Sequence, residues 1–208
     1  MKTFSNGALK YWNTLAANYD KQKSRSQKAY VSILELMAEE VSGDMRILDI
    51  GTGTGDIALG LSKHVKSIDA IDYSPEMIKL AKEKAREKEV MNISFQTGDC
   101  YQLPFEDETF DRVIMSNLIH IIEHPDQAIE EAKRVLKESG LLILPTYLHK
   151  QNVKSVLVSR ILQLKGHPVV TRFNETELLK YIGDRGLRVQ KGVLIKNMMP
   201  LLFVTAMK

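Results

Sequence analysis

The sequence is poor in the residues that build disulfides and cysteine-rich metal sites. Its 208 residues include one cysteine, Cys100, and one tryptophan. A single cysteine cannot form an internal disulfide, and it rules out a metal site made from CxxC pairs. We therefore predict no metal site of that kind, and the sequence motifs below assign no metal ligand.

Long apolar runs and a strong excess of one charge are also missing. No run approaches the ~20 residues of a membrane span, and the first ten residues lack the apolar core of a signal peptide. The formal net charge is only +3, and the richest charge run, Lys79 to Glu89, mixes both signs at helical spacing. Nucleic-acid binders usually show a denser basic face. We expect a cytoplasmic protein with neither a nucleic acid nor a membrane as partner.

Short apolar segments alternate with helical patterns along the chain. The predicted strands are 46–50, 66–72, 93–99, 111–116 and 141–146, followed by 187–195 and 199–208. Alternation of strands and helices predicts a parallel sheet with helices on both faces. Only three residues, KNM, separate the last two strands, so a hairpin is required and the last strand should be antiparallel. The predicted fold is a Rossmann-like, doubly wound α/β sheet of seven strands.

The chain shows no linker or repeat, so residues 1–208 are interpreted as one domain. Residues 1–45 are expected to form a helical lid, 46–146 the cofactor-binding core, 147–173 a helical cap over the substrate, and 174–208 the last helix and strand hairpin. A helix at Pro125 is expected to continue to Gly140. The cap helix is predicted to be amphipathic, with an apolar side that consists of Val153, Val156, Leu157, Ile161 and Leu164.

A glycine-rich turn follows the first strand, in the segment ILDIGTGTGDIAL. Its spacing, Gly51-x-Gly53-x-Gly55, differs from the phosphate loop GxxxxGK[ST] and from the dinucleotide fingerprint GxGxxG. Asp56 occupies the position of the third dinucleotide glycine, and Asp49 lies just before the turn. Two carboxylates disfavour a pyrophosphate and favour a cationic ligand. The turn therefore indicates a nucleotide-like ligand with an ammonium or sulfonium group.

Two further acids end the next two strands. Asp72 lies 21 residues after Gly51, where a carboxylate typically accepts hydrogen bonds from ribose hydroxyls. Asp99 ends the third strand and could accept a hydrogen bond from an adenine amino group. Each acid alone has an ordinary structural interpretation, because Asp is common in turns. Three acids at the carboxyl ends of three successive strands favour a ligand site.

At this point the sequence resembles a known family, the class I S-adenosylmethionine-dependent methyltransferases. The resemblance runs from Arg46 to Thr146 and is carried, in order, by ILDIGTGTGDIAL, IDAIDYSPEMIKLAK, GDCYQLPFEDETFDRVIMSNLIHII and EEAKRVLKESGLLIL. The branch it is most similar to is the small-molecule one that includes quinone-biosynthesis methyltransferases. The resemblance implies S-adenosylmethionine as cofactor, S-adenosylhomocysteine as product, and direct in-line transfer of the methyl group to a small molecule.

The resemblance also implies roles for individual residues. The implied cofactor-binding residues are Tyr19, Asp49, Gly51, Thr52, Gly53, Gly55, Asp72, Tyr73, Met77, Asp99, Cys100, Ser116 and Asn117. His120 and Tyr147 are placed near the substrate, and no catalytic residue is assigned. Two interpretations of His120 stay open, a general base and a histidine that only packs.

Other functions remain as alternatives. A methyltransferase fold that binds the cofactor as a sensor, without catalysis, has the same motifs. A nicotinamide-dependent oxidoreductase is disfavoured by the GxGxG spacing and by Asp49. Base methylation in DNA is disfavoured because the segment after the fourth strand reads SNLI and has no proline. The methyl acceptor, the atom methylated, and a monomeric or homodimeric state are left open.

Overall fold

A computed structural model of the chain describes residues 6–23, 27–164 and 166–208. Its helices are α1 (Asn6–Lys23), α2 (Gln27–Ala38), α3 (Asp56–Leu61), α4 (Pro75–Glu87), α5 (Pro125–Val135), α6 (Val153–Leu164) and α7 (Glu175–Gly183). Its strands are β1 (Arg46–Ile50), β2 (Ser67–Asp72), β3 (Ile93–Thr97), β4 (Phe110–Ile114), β5 (Leu136–Ile143), β6 (Thr146–Tyr147), β7 (Arg188–Ile195) and β8 (Leu201–Met207).

The strands form one mixed sheet in the order β3-β2-β1-β4-β5-β8-β6, with β7 also paired to β8. The pairs β2–β3, β1–β2, β1–β4 and β4–β5 are parallel, whereas β8 runs antiparallel to β5, β6 and β7. The predicted α/β class and the antiparallel last strand are confirmed. The described residues give eight strands and not seven, because the two residues of β6 form a separate pairing with β8.

Helices cover both faces of the sheet, as predicted. One core cluster packs α5 and α7 against the sheet through residues such as Ile129, Ala132 and Leu178. The other packs α2, α3 and α4 against the opposite face through Met37 and Ile78, among others. None of the helices that the structure describes is long and apolar enough to cross a membrane.

Helix α5 ends five residues before the predicted end at Gly140. It stops at Val135 because the next residue, Leu136, pairs with Phe110 and begins β5. The amide of Thr109, just before β4, donates to the carbonyl of Val135 at 2.8 Å. This carbonyl is therefore bonded to the sheet and does not accept a hydrogen bond from a further turn of the helix. The register between β4 and β5 then shifts before Leu141 pairs with Arg112.

Helix α6 turns most of its predicted apolar side outward. Val153 is 86% exposed and Leu157 59%, and Ile161 and Leu164 are exposed as well, whereas Ser155 and Ser159 are fully buried. These apolar side chains therefore do not pack against the sheet. Ser159 lies 3.1 Å from the buried ring of His149, and Ser155 bonds with Asn152 at the start of the helix.

Candidate functional site

A cavity opens above the carboxyl ends of β1, β2 and β4. The chain passes from β1 to β2 on one side and returns to β4 on the other, so the strand order reverses at this point. Ligands of open α/β sheets bind at such reversals. The predicted site residues that line the cavity are Tyr19, Gly51, Gly53, Asp72, Tyr73, Met77, Cys100, Ser116, Asn117, His120 and Tyr147.

The glycine turn has a backbone that other residues rarely adopt. Gly51, Gly53 and Gly55 have φ values of 73°, 57° and 80°, in the left-handed region. The amides of Gly51 and Thr52 both donate to the carbonyl of Ile71 at 2.9 Å, which ties the turn to the end of β2. The turn therefore presents bare backbone to the cavity at Gly51 and Gly53.

Asp72 connects the glycine turn to helix α4. One carboxylate oxygen accepts a hydrogen bond from the Gly53 amide at 2.8 Å, and the other accepts one from the Ser74 amide at 2.9 Å. Burial raises the pKa of the Asp72 carboxyl above its ordinary value, and hydrogen bonds from Ser74, Gly53 and Tyr73 oppose the rise. Each carboxylate oxygen has further lone pairs, so Asp72 can also accept from a ligand.

Four of the predicted site residues do not line the cavity. Asp49 is buried beneath the turn, where it accepts a hydrogen bond from the Thr52 hydroxyl at 2.6 Å. Asp99 accepts one from the Tyr101 amide. Gly55 packs against a core aromatic ring, so its lack of a side chain has a structural explanation. Asp49, Thr52 and Gly55 therefore support the turn from behind, whereas Asp99 lies between the lining residues Gly98 and Cys100.

Aromatic rings of α1 line one side of the cavity. Trp12 and Tyr19 of α1 line it and meet edge to face, with ring centroids 6.4 Å apart. Helix α1 is held over the site by a 2.5 Å hydrogen bond from the Ser74 hydroxyl to Asn13. His167 also lines this side, and its Nδ1 lies 3.2 Å from the Tyr11 hydroxyl. The lining role of His167 was not predicted, because no motif surrounds it in the sequence.

Two polar groups in the loop after β4 have no hydrogen-bond partner among the described residues. Asn117 has a left-handed backbone (φ 53°), and its buried Oδ1 has no partner among the described residues. His120 is 2% exposed, and its Nδ1 is likewise unpartnered within the described ranges. Burial holds the pKa of His120 well below its ordinary value, so the ring is neutral.

The sheet, the reversal point and the glycine turn beside Asp72 are together typical of a nucleotide-binding α/β domain. Residues 48–144 match the sequence profile of a family described as a methyltransferase domain. Over these residues the chain is similar to methyltransferases.

Curated relatives carry related names. The uncharacterized methyltransferase YcgJ of Bacillus subtilis is 33% identical over 133 residues, which cover 64% of this chain and 53% of that protein. The ubiquinone/menaquinone biosynthesis C-methyltransferase UbiE of Geotalea daltonii is 33% identical over 144 residues, or 67% of this chain and 61% of that protein. The chain thus spans somewhat over half the length of these relatives.

Solved structures share the fold. The crystal structure of Bacillus subtilis YcgJ superposes with a TM-score of 0.74 at 22% identity, covering 85% of this chain and 98% of that one. A SAM-dependent methyltransferase from Aquifex aeolicus gives a TM-score of 0.67 at 26% identity, covering 84% and 88%. The architecture described above is therefore that of known methyltransferase structures.

Proposed function

We propose that the protein binds S-adenosylmethionine and transfers its methyl group to a small-molecule acceptor. The observation that carries this proposal is the Asp72 carboxylate, which lines the cavity beside the exposed backbone of Gly51 and Gly53. A ligand with ribose hydroxyls and a positive charge matches an acid there. A pyrophosphate would meet unfavourable charge from this acid and from Asp49 beneath the turn.

The residues of the cavity fit the parts of this cofactor. Asp72 would hold the ribose hydroxyls. Tyr73, Met77 and Cys100 would enclose the adenine, with Asp99 accepting from its amino group. The methionine end would lie along the glycine turn, above Asp49 and Thr52, which brings it toward Ser116 and Asn117. Gly55 would shape this turn from behind. When bound, the cofactor supplies an electrophilic methyl group.

The protein itself would orient the acceptor and exclude water. Tyr19 and Trp12 of α1 close one side of the cavity, and His120 and Tyr147 border the other. We propose that residues 1–45 and 147–173 act as lid and cap, with 46–146 as the cofactor-binding core. Alignment of the acceptor with the methyl group is the main catalytic contribution expected from such a site. The names of the UbiE relatives support a ring compound as acceptor, and we propose a cytoplasmic site of action.

Transfer of an isotopically labelled methyl group tests the proposed activity. The protein is incubated with methyl-labelled S-adenosylmethionine and a metabolite extract, and small molecules are separated and analysed for label. We expect one labelled product and release of S-adenosylhomocysteine, both strongly reduced with Asp72→Ala at a cofactor concentration near the dissociation constant of the parent protein. Tight binding of the cofactor without label transfer to several extracts would instead support the sensor alternative.

A further inference from the structure

Two buried histidines touch each other at the acceptor end of the cavity. His120 lies in the loop after β4 and lines the cavity, and His149 follows β6 and lies behind it. The ring centroids are 4.8 Å apart and the ring planes are inclined at 40°. Each side chain is 2% exposed, and each has one ring nitrogen, His120 Nδ1 and His149 Nε2, without a partner among the described residues. Two such groups side by side are costly unless a ligand or water pairs with them.

Hydrogen bonds behind the pair engage one ring nitrogen of His149. The guanidinium of Arg172 donates from Nε to the Ser159 hydroxyl oxygen at 3.0 Å. The same hydroxyl lies 3.1 Å from His149 Nδ1 and can donate its own hydrogen to that nitrogen. With that donation His149 Nδ1 is an acceptor, and the ring proton of neutral His149 lies on Nε2.

The surroundings keep both rings uncharged. The charged or titratable neighbours that act on them are His167, from the segment after α6, Arg172 and the rings themselves. The pKa of His149 is lowered to about 4, mainly by burial and to a smaller extent by His167 and Arg172. The ring of Tyr147 lies 6.5 Å from that of His120 and also brings no charge to this part of the cavity. A cationic acceptor would have no counter-charge from these groups.

We propose that His120 and His149 form an uncharged histidine pair that selects the acceptor: His120 binds an acceptor hydroxyl, and His149 positions the His120 ring. The proposal rests on the proposed function, since it concerns the acceptor end of the same site. A hydroxyl fits because His120 lines the cavity and a neutral imidazole has one acceptor nitrogen to which a hydroxyl can donate.

The first test measures binding of three ring probes to the protein saturated with S-adenosylhomocysteine. Phenol carries the hydroxyl, toluene lacks it, and benzylamine carries a positive charge. We expect phenol to bind most tightly and benzylamine least. The substitution His120→Phe should weaken phenol binding about tenfold, the value of one buried hydrogen bond, and leave toluene binding unchanged.

The control is His64→Phe, since His64 is exposed and precedes β2, at the end of the strand away from the cavity. It should bind all three probes like the parent protein. Equal affinities for phenol and toluene, or tighter binding of benzylamine, would overturn the proposal. Failure to bind S-adenosylhomocysteine at all would instead count against the proposed function, so the two failures are distinguishable.

The second test addresses His149 as a positioning residue. Nitrogen NMR of ring-labelled histidine should show a neutral His149 with its proton on Nε2. Ser159→Ala removes the hydroxyl that fixes this tautomer, so the signal should change and phenol affinity should fall about threefold, with an unchanged affinity for S-adenosylhomocysteine. A proton on Nδ1 of His149 in the parent protein would overturn the positioning role.

Discussion

Gly55→Ala is expected to destabilise the protein by about 3 kcal/mol, because two separate costs add. The backbone at Gly55 has a φ of 80°, and an alanine there pays about 1–2 kcal/mol for the left-handed conformation. A Cβ would also lie 2.8 Å from the Phe95 ring and 2.9 Å from the Ala81 methyl. Both neighbours are buried between α4 and β3, so relieving the overlap costs roughly another 1–3 kcal/mol.

Gly186→Ala is the matched control for Gly55→Ala. Gly186 has nearly the same backbone, with a φ of 75°, but a Cβ there would meet nothing within 4 Å. It should therefore show only the conformational cost of about 1–2 kcal/mol. Denaturant unfolding of both variants measures the difference. Equal losses of stability would show that Phe95 and Ala81 yield to the added methyl group and that packing does not explain this glycine.

Asp72→Ala is expected to weaken cofactor binding by about 2–3 kcal/mol, or roughly 30- to 150-fold. The proposed site gives Asp72 both ribose hydroxyls, and truncation would leave them without a charged acceptor. The substitution also removes the acceptor of the Gly53 amide, which shapes the turn beside it. Titration calorimetry with S-adenosylhomocysteine measures the loss, and a melting curve checks that the variant is folded.

Asp69→Ala is the control for Asp72→Ala, on the same strand. Asp69 pairs with Arg46 at 2.8 Å and does not line the cavity. Its truncation should leave cofactor affinity unchanged, and equal effects of the two substitutions would refute the ribose assignment.

The pH dependence of cofactor binding is a separate test of the same assignment. Binding requires the ionised carboxylate, so affinity should fall on acidification through the pKa of Asp72. Because burial raises that pKa, the fall should begin at a higher pH than for an ordinary aspartate.

The sheet and the glycine turn were predictable because local patterns determine them. Strand β1 was predicted with its observed bounds, since the apolar run RILDI is short, β-branched and followed by glycines. The start of helix α4 also follows local rules, because Pro75 occupies its first position and the Ser74 hydroxyl accepts a hydrogen bond from the Met77 amide as a helix cap. Both features depend on neighbours in the sequence, which periodicity and capping rules describe.

The errors and omissions arise where distant residues decide. The apolar residues of α6 were predicted to share one side, but the sequence does not show that this side is exposed, because the contacts of the buried Ser159 with Arg172 and His149 are made only in the fold. The end of α5 was predicted too late, because pairing of Leu136 with Phe110 depends on the sheet and not on helix propensity. The contact of His120 with His149 joins segments with no motif between them, and only the fold brings these rings together.

Thermal unfolding with added ligands tests the central claim most directly, which is that the cavity is built for S-adenosylmethionine. A ligand that binds only the folded protein adds about 2.7 kcal/mol of stability at a hundredfold excess over its dissociation constant. We expect S-adenosylmethionine and S-adenosylhomocysteine to raise the melting temperature of the parent protein, and NAD to leave it nearly unchanged. Stabilisation by NAD, with no effect of the two sulfur-containing nucleosides, would contradict the account.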